Sequence, residues 1–128
     1  MRIQVNVYSA PWSNQSSVDA LTFLEEMLNQ GHDVTRVFFF FDGVYHGLKS
    51  QSPASDEANF LAKWQDIHDK GVELLLCIAA SANRGLLDDS EAKRYEKEHS
   101  TIASCFSLTG LGQWATGFHD SDHIITFK

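Results

Sequence analysis

The amino-acid sequence predicts an α/β fold of three layers, with a mostly parallel sheet of about five strands between helices. Two observations carry this. Strand-like apolar segments alternate along the chain with segments of helical spacing. The longest apolar runs, Val37–Phe41 and Leu74–Ala80, have the length of strands and fall far short of the roughly 20 residues of a membrane span.

In chain order, Ile3–Tyr8 alternates apolar and polar residues and reads as the first strand. Ser9–Ser17 is a polar loop, and Ser16 or Ser17 can cap a helix that runs to about Gln30. Its apolar positions Val18, Leu21, Leu24 and Leu28 have helical spacing, and Gly31 stops it. Thr35–Phe41 is the second strand, apolar enough to be covered on both faces, and Asp42-Gly43 turns the chain. Ser52-Pro53 is the expected start of the next helix, with Ser52 as cap and Phe60, Leu61, Trp64 and Ile67 as core face. Val72–Ala80 is expected as the third strand. Asp88-Asp89-Ser90-Glu91 resembles a capping box for a short charged helix. Phe106–Leu108 is a brief strand, Gly110–Phe118 a helix with Leu111 and Trp114 inward, and His123–Phe127 the last strand.

Length and composition set the frame. The chain of 128 residues fits a single domain, 1–128, able to bury a core without disulfides or a metal. Ten Lys and Arg stand against 17 Asp and Glu, a formal charge of −7. Such acidity argues against direct nucleic-acid binding, which needs a basic face. The start, Met1-Arg2-Ile3-Gln4-Val5, lacks a signal-peptide apolar region, so the expected location is cytoplasmic, away from any membrane. There a disulfide between Cys77 and Cys105 is not expected, and two thiols cannot close a zinc site.

Cys77 is the leading candidate for chemistry. It lies near the carboxyl end of the third strand, where sites form in open α/β sheets. The residues after it, Ile78-Ala79-Ala80-Ser81-Ala82-Asn83-Arg84-Gly85, leave room above a sulfur atom. Arg84 can supply positive charge and loop N–H groups hydrogen bonds, and both favour the reactive thiolate. The alternative is a buried cysteine serving as a small hydrophobe. Cys105 has nothing basic beside it and reads as structural, with a resolving role for Cys77 left open. His119-Asp120-Ser121-Asp122-His123 has metal-ligand residue types, but histidines four apart share a face only on a helix. His32, His46, His68 and His99 lie singly and suggest surface positions. Gly110-Leu111-Gly112-Gln113-Trp114-Ala115 matches a dinucleotide fingerprint but lacks the acidic residue such a site needs about 20 positions later. Ser52–Glu57 follows the second strand and could rim the same cleft as Cys77.

Four segments together resemble the DsrE/TusD family of sulfur-relay proteins. They are Val37-Phe38-Phe39 leading to Asp42-Gly43-Val44, then Ser52-Pro53-Ala54-Ser55-Asp56-Glu57, then Cys77 with Ala79-Ala80 and Arg84-Gly85, and last Leu108-Thr109-Gly110-Leu111-Gly112. The resemblance implies a three-layer α/β fold and a sulfurtransferase that carries a persulfide on one reactive cysteine, mapped onto Cys77. Arg84, Ser81 and Ser52 are the expected binding residues around it. It also implies a heterohexamer with sister subunits of the TusB/TusC or DsrF/DsrH type, a TusA-like sulfur donor and a TusE- or DsrC-like acceptor. The sulfur would serve either thiolation of the tRNA wobble uridine or dissimilatory sulfur oxidation. Transfer between cysteines is thiolate attack on a sulfane sulfur, so no metal or organic cofactor is expected. Two other readings stay open: a non-catalytic subunit of such a complex, and a small nucleotide-binding α/β protein.

Overall fold

The computed structural model describes residues 1–128. Five strands, β1 (Arg2–Val7), β2 (Asp33–Phe39), β3 (Glu73–Cys77), β4 (Phe106–Thr109) and β5 (His123–Phe127), form one sheet in the order β4-β3-β2-β1-β5. Every pairing is parallel. The helices are α1 (Ser16–Asn29), α2 (Phe60–Asp69), α3 (Ile78–Asn83), α4 (Asp89–Arg94) and α5 (Leu111–Asp120), with a 3-10 helix over Phe41–Gly47. The predicted α/β fold and mostly parallel sheet are what the chain adopts.

From β1 to β4 each new strand is added on the same side of the one before, and the link from β4 to β5 then runs back across the sheet. Right-handed crossovers therefore put α1 and α2 on one face and α5 on the other. The register agrees. Val7, Phe39 and Leu76 are paired neighbours, and the Phe39 ring meets Trp64 of α2 edge-on at 4.9 Å. Phe127, paired with Val7, packs against Phe23 of α1. The alternate residues Gln4, Asn6, Arg36, Phe38, Leu75 and Cys77 belong to the α5 face. There Arg36 Nη1 donates to the Gln113 carbonyl at 3.1 Å, and Gly117 lies against Gln4 so closely that a Cβ would collide with its amide.

The two faces differ in chemistry. The α1/α2 face is a mainly apolar core that includes Val5, Val7, Leu24, Phe39, Trp64 and Leu76, with His46 and Ser17 as its buried polar groups. Under α5 the buried Gln4 and Asn6 bond each other, and Asn6 bonds Thr126. α5 itself buries only Gly117, with Trp114 half-buried. Leu111, expected inward, is 55% exposed.

Several boundaries differ from expectation, among them the end of the second strand, which falls at Phe39 rather than Phe41, while the Asp88 cap of α4 is as expected. Gln15 precedes α1 without a side-chain cap, and neither Ser16 nor Ser17 caps it; Ser17 is turned into the core instead. Ser52 does not begin α2. The cap is Asn59, whose side chain accepts from the Ala62 N–H, because the apolar phase of Phe60, Trp64 and Ile67 starts there. The third strand ends at Cys77 rather than Ala80, and α3 follows without a spacer. Asp88 caps α4 through the Glu91 N–H at 2.8 Å, but the Glu91 carboxylate turns to Arg94 instead of reaching back.

Candidate functional site

Cys77 is the last residue of β3 and the residue just before α3. Its backbone stays extended at φ −61°, ψ 120°, the conformation of a helix-capping position. Its thiol makes no capping hydrogen bond, so the first-turn N–H groups of α3 have no partner from that side chain. The residue is 3% exposed. Thr109, at the end of β4, is its paired neighbour. On the other side Phe39 pairs with Leu76, so Phe40, which continues the extended strand, flanks Cys77.

Ser81 lies one turn further along α3 than Cys77, fully buried, and its hydroxyl has no hydrogen-bond partner. Arg84 closes the C-terminal end of α3. Its Nε donates to Asp42 Oδ1 at 2.8 Å and its Nη1 to the Ala80 carbonyl at 3.0 Å. Arg84 thus ties α3 to the 3-10 helix that follows β2. Asp42, expected from the sequence as part of a turn, is the partner of Arg84. Its signal was there in the Asp-Gly at the carboxyl end of a strand, a place where sites gather. Ser52 is exposed and its hydroxyl bonds the Ser50 carbonyl. The segment before it is fixed by Gln51, whose amide donates to the carbonyls of Tyr45, His46 and Leu48.

His46 also departs from expectation. It is not at the surface but fully buried, between the rings of Phe39, Phe60 and Trp64. Trp64 Nε1 donates to its Nδ1 at 3.0 Å, which fixes the proton on Nε2. That nitrogen donates to the Ser9 carbonyl at 3.1 Å and lies 3.0 Å from Ser17 Oγ. Burial pushes the His46 pKa down to about 3, and the Ser9 carbonyl opposes this only partly. His46 therefore anchors the 3-10 helix to α1 and α2 as a neutral group.

Cys105 precedes β4, and Phe106 pairs with Leu74 while Thr109 pairs with Cys77. Cys105 thus lies four residues along the ladder from the level of Cys77, about 13 Å at roughly 3.3 Å per residue. Disulfide Cα separations stay below about 7 Å, so Cys105 cannot resolve Cys77 within one chain. Burial pushes the Cys105 thiol pKa up. His119 lies in the last turn of α5 while His123 opens β5, and no three His, Cys, Asp or Glu side chains gather to hold a metal.

The family model for the DsrE/DsrF-like family matches residues 1–127. The chain belongs to the DsrE/DsrF-like family. Among its curated relatives, proteins named sulfurtransferase TusD from Salmonella dublin and Enterobacter sp. are 36% identical over 128 residues, covering 99% of this chain and 100% of theirs. Among solved structures, the YchN protein from E. coli superposes with a TM-score of 0.81 at 20% identity, covering 99% of both chains. A protein of unknown function from Methanobacterium thermoautotrophicum gives 0.63 at 10% identity, covering 97% of both. These two structures speak for the DsrE-like fold. No helix is long and apolar enough to cross a membrane.

Proposed function

We propose that Cys77 is the residue on which this sulfurtransferase carries sulfur, as a persulfide received from one protein cysteine and handed to another. The sulfurtransferase role itself follows from full-length relatives that bear that name. The observation that carries the assignment to Cys77 is its place at the carboxyl end of a central strand, directly before a helix whose first amides have no side-chain cap. Those amides are available to negative charge on sulfur as it forms and leaves. Cys105 lies toward the opposite end of the sheet, and burial raises its thiol pKa above the ordinary value, which supports the choice.

Chemically, a donor persulfide presents its sulfane sulfur, the Cys77 thiolate attacks it, and the donor cysteine leaves as a thiolate. The second half runs in reverse with the acceptor thiolate as attacker. No electrons are gained or lost overall, so neither half requires a redox partner. Burial of Cys77 in the single chain limits access by oxidants that would drive the same atom up the oxidation ladder. Arg84, held by Asp42 and Ala80, fixes the far end of α3, and the unpartnered Ser81 hydroxyl is free to donate toward the carried sulfur. The partners in this reading are homologous sister subunits, a TusA-like donor and a TusE- or DsrC-like acceptor. The identity to TusD proteins favours the tRNA-thiolation branch of the relay.

Intact mass spectrometry after incubation with a persulfide donor tests the assignment. One added sulfur is expected, located on Cys77 by peptide mapping and absent from Cys77→Ser. Loading of Cys105 alone, or undiminished loading of Cys77→Ser, overturns it.

A further inference from the structure

Of the buried side-chain groups that lack a hydrogen bond, one lies beside the sulfur position. Ser81 is 0% exposed and its hydroxyl has no partner. A serine inside a helix ordinarily bonds the carbonyl four residues back, here that of Cys77, and the Ser81 hydroxyl does not. Nor can the residue swing out to water. Its own carbonyl accepts from the Arg84 N–H at 3.0 Å and from the Leu86 N–H at 2.8 Å, and Leu86 is itself fully buried. A buried donor left without a partner is a standing cost to the folded chain, so its presence calls for a cause.

The place of the hydroxyl supplies that cause. Helix positions four apart hold their Cβ atoms about 5–6 Å from each other, and helical side chains lean toward the N-terminus, so Ser81 leans toward Cys77. Between them on that face stands only the small Ala80. The Cys77 sulfur itself is out of reach, since the hydroxyl bonds nothing. A second sulfur lengthens the Cys77 side chain by one S–S bond, about 2.05 Å. We infer that the Ser81 hydroxyl is the hydrogen-bond donor to the terminal sulfur of the Cys77 persulfide, so that the unloaded carrier holds an unmet polar group and the loaded carrier does not. The inference rests on the persulfide reading of Cys77 and adds a division of labour to it. The first-turn amides of α3 serve the inner sulfur, and Ser81 serves the outer one. In loading, the Cys77 thiolate takes the sulfane sulfur and the donor leaves as a thiolate, while the Ser81 hydroxyl keeps its proton throughout. The consequence is retention. Sulfur on Cys77 is held more tightly than sulfur on a free thiol, and by linkage the folded chain is more stable loaded than unloaded.

Exchange of sulfur between glutathione persulfide and the full chain, brought to equilibrium, measures retention in the parent chain and in Ser81→Ala. Intact mass and peptide mapping to Cys77 read the extent. The variant is expected to hold its sulfur about tenfold less tightly, the lower end for a hydrogen bond to a charged group. Urea unfolding of unloaded and loaded chains gives a second readout, one that a merely structural serine would not move. Loading should raise the midpoint of the parent chain more than that of Ser81→Ala. The unloaded variant should be at least as stable as the unloaded parent, because it lacks the unmet hydroxyl and alanine is the better helix former. Equal retention in the two chains overturns the Ser81 inference and leaves the carrier reading intact. An unloaded Ser81→Ala chain less stable than the unloaded parent shows a hydroxyl already bonded within the fold, and also overturns it. Absence of sulfur on Cys77 in the parent chain overturns both.

Discussion

Lowering the pH from 7 to 5 should weaken this fold through one side chain. His46 is neutral and buried in the folded chain, with its pKa lowered to about 3, whereas the unfolded imidazole takes a proton near 6.5. The stability contributed by its neutral form is complete above pH 6.5 and falls as the pH drops toward 3. The full span is 6.5 minus about 3, or about 3.5 units, which at about 1.36 kcal/mol per unit is on the order of 5 kcal/mol. At pH 5 only about 1.5 of those units have been lost, on the order of 2 kcal/mol, against a typical total of about 5–15 kcal/mol. Asp122, held below the usual carboxylate range by the Arg2 amide, loses its contribution only at lower pH than this window. Urea unfolding followed by tryptophan fluorescence at several pH values measures the effect, since Trp64 reports directly from the His46 contact. His46→Gln should be less stable at pH 7, because Trp64 and Ser17 lose their partner, but its stability should change little between pH 7 and 5. Parallel pH dependences in the parent chain and His46→Gln would refute the reasoning.

Three further outcomes are expected. Gly43→Ala should cost about 3 kcal/mol in chemical denaturation, the upper range for overpacking, because its Cβ would run into the Val7 carbonyl where the 3-10 helix crosses β1. Arg84→Ala and Asp42→Asn should each change stability by less than about 1 kcal/mol, since the pair is partly exposed, while Arg84→Ala slows persulfide loading of Cys77 several-fold; unchanged loading would remove Arg84 from the site. In a Cys77→Ser background, Cys105 should be alkylated by iodoacetamide only at more alkaline pH than a free thiol, and a midpoint at the free-thiol value would contradict its burial.

The existence and order of the strands and α1 were legible from their apolar spacing, and Gly31, with φ 82°, is the left-handed stop expected after a helix. The expected strand Val72–Ala80 runs past the true end at Cys77. An unbroken apolar run fits a buried strand or a buried helix equally, and only the fold shows the switch at Cys77. Ser52-Pro53 was expected to start α2, but core contacts begin only at Phe60, so the helix starts after Asn59. His46 was misjudged because a lone histidine carries no sign of its partners, which come from Ser9, Ser17 and Trp64. The position of Cys77 at a strand end was readable; the link from Arg84 to Asp42, 42 residues away, was not.

The sheet order also bears on how the chain is made. As the polypeptide emerges, β1 to β4 can zip together one after another, each against the strand just before it. Until the final residues arrive, the outer side of β1 has unpaired backbone groups and a fully apolar face, a ready template for a stray strand. Only β5, 120 positions later along the ladder from Ile3 to His123, closes that side, and its approach depends on α5 settling over polar Gln4 and Asn6. The slowest contact to form is thus the one that guards the nascent protein against misassociation, so chains stalled or cut before α5 should aggregate through β1.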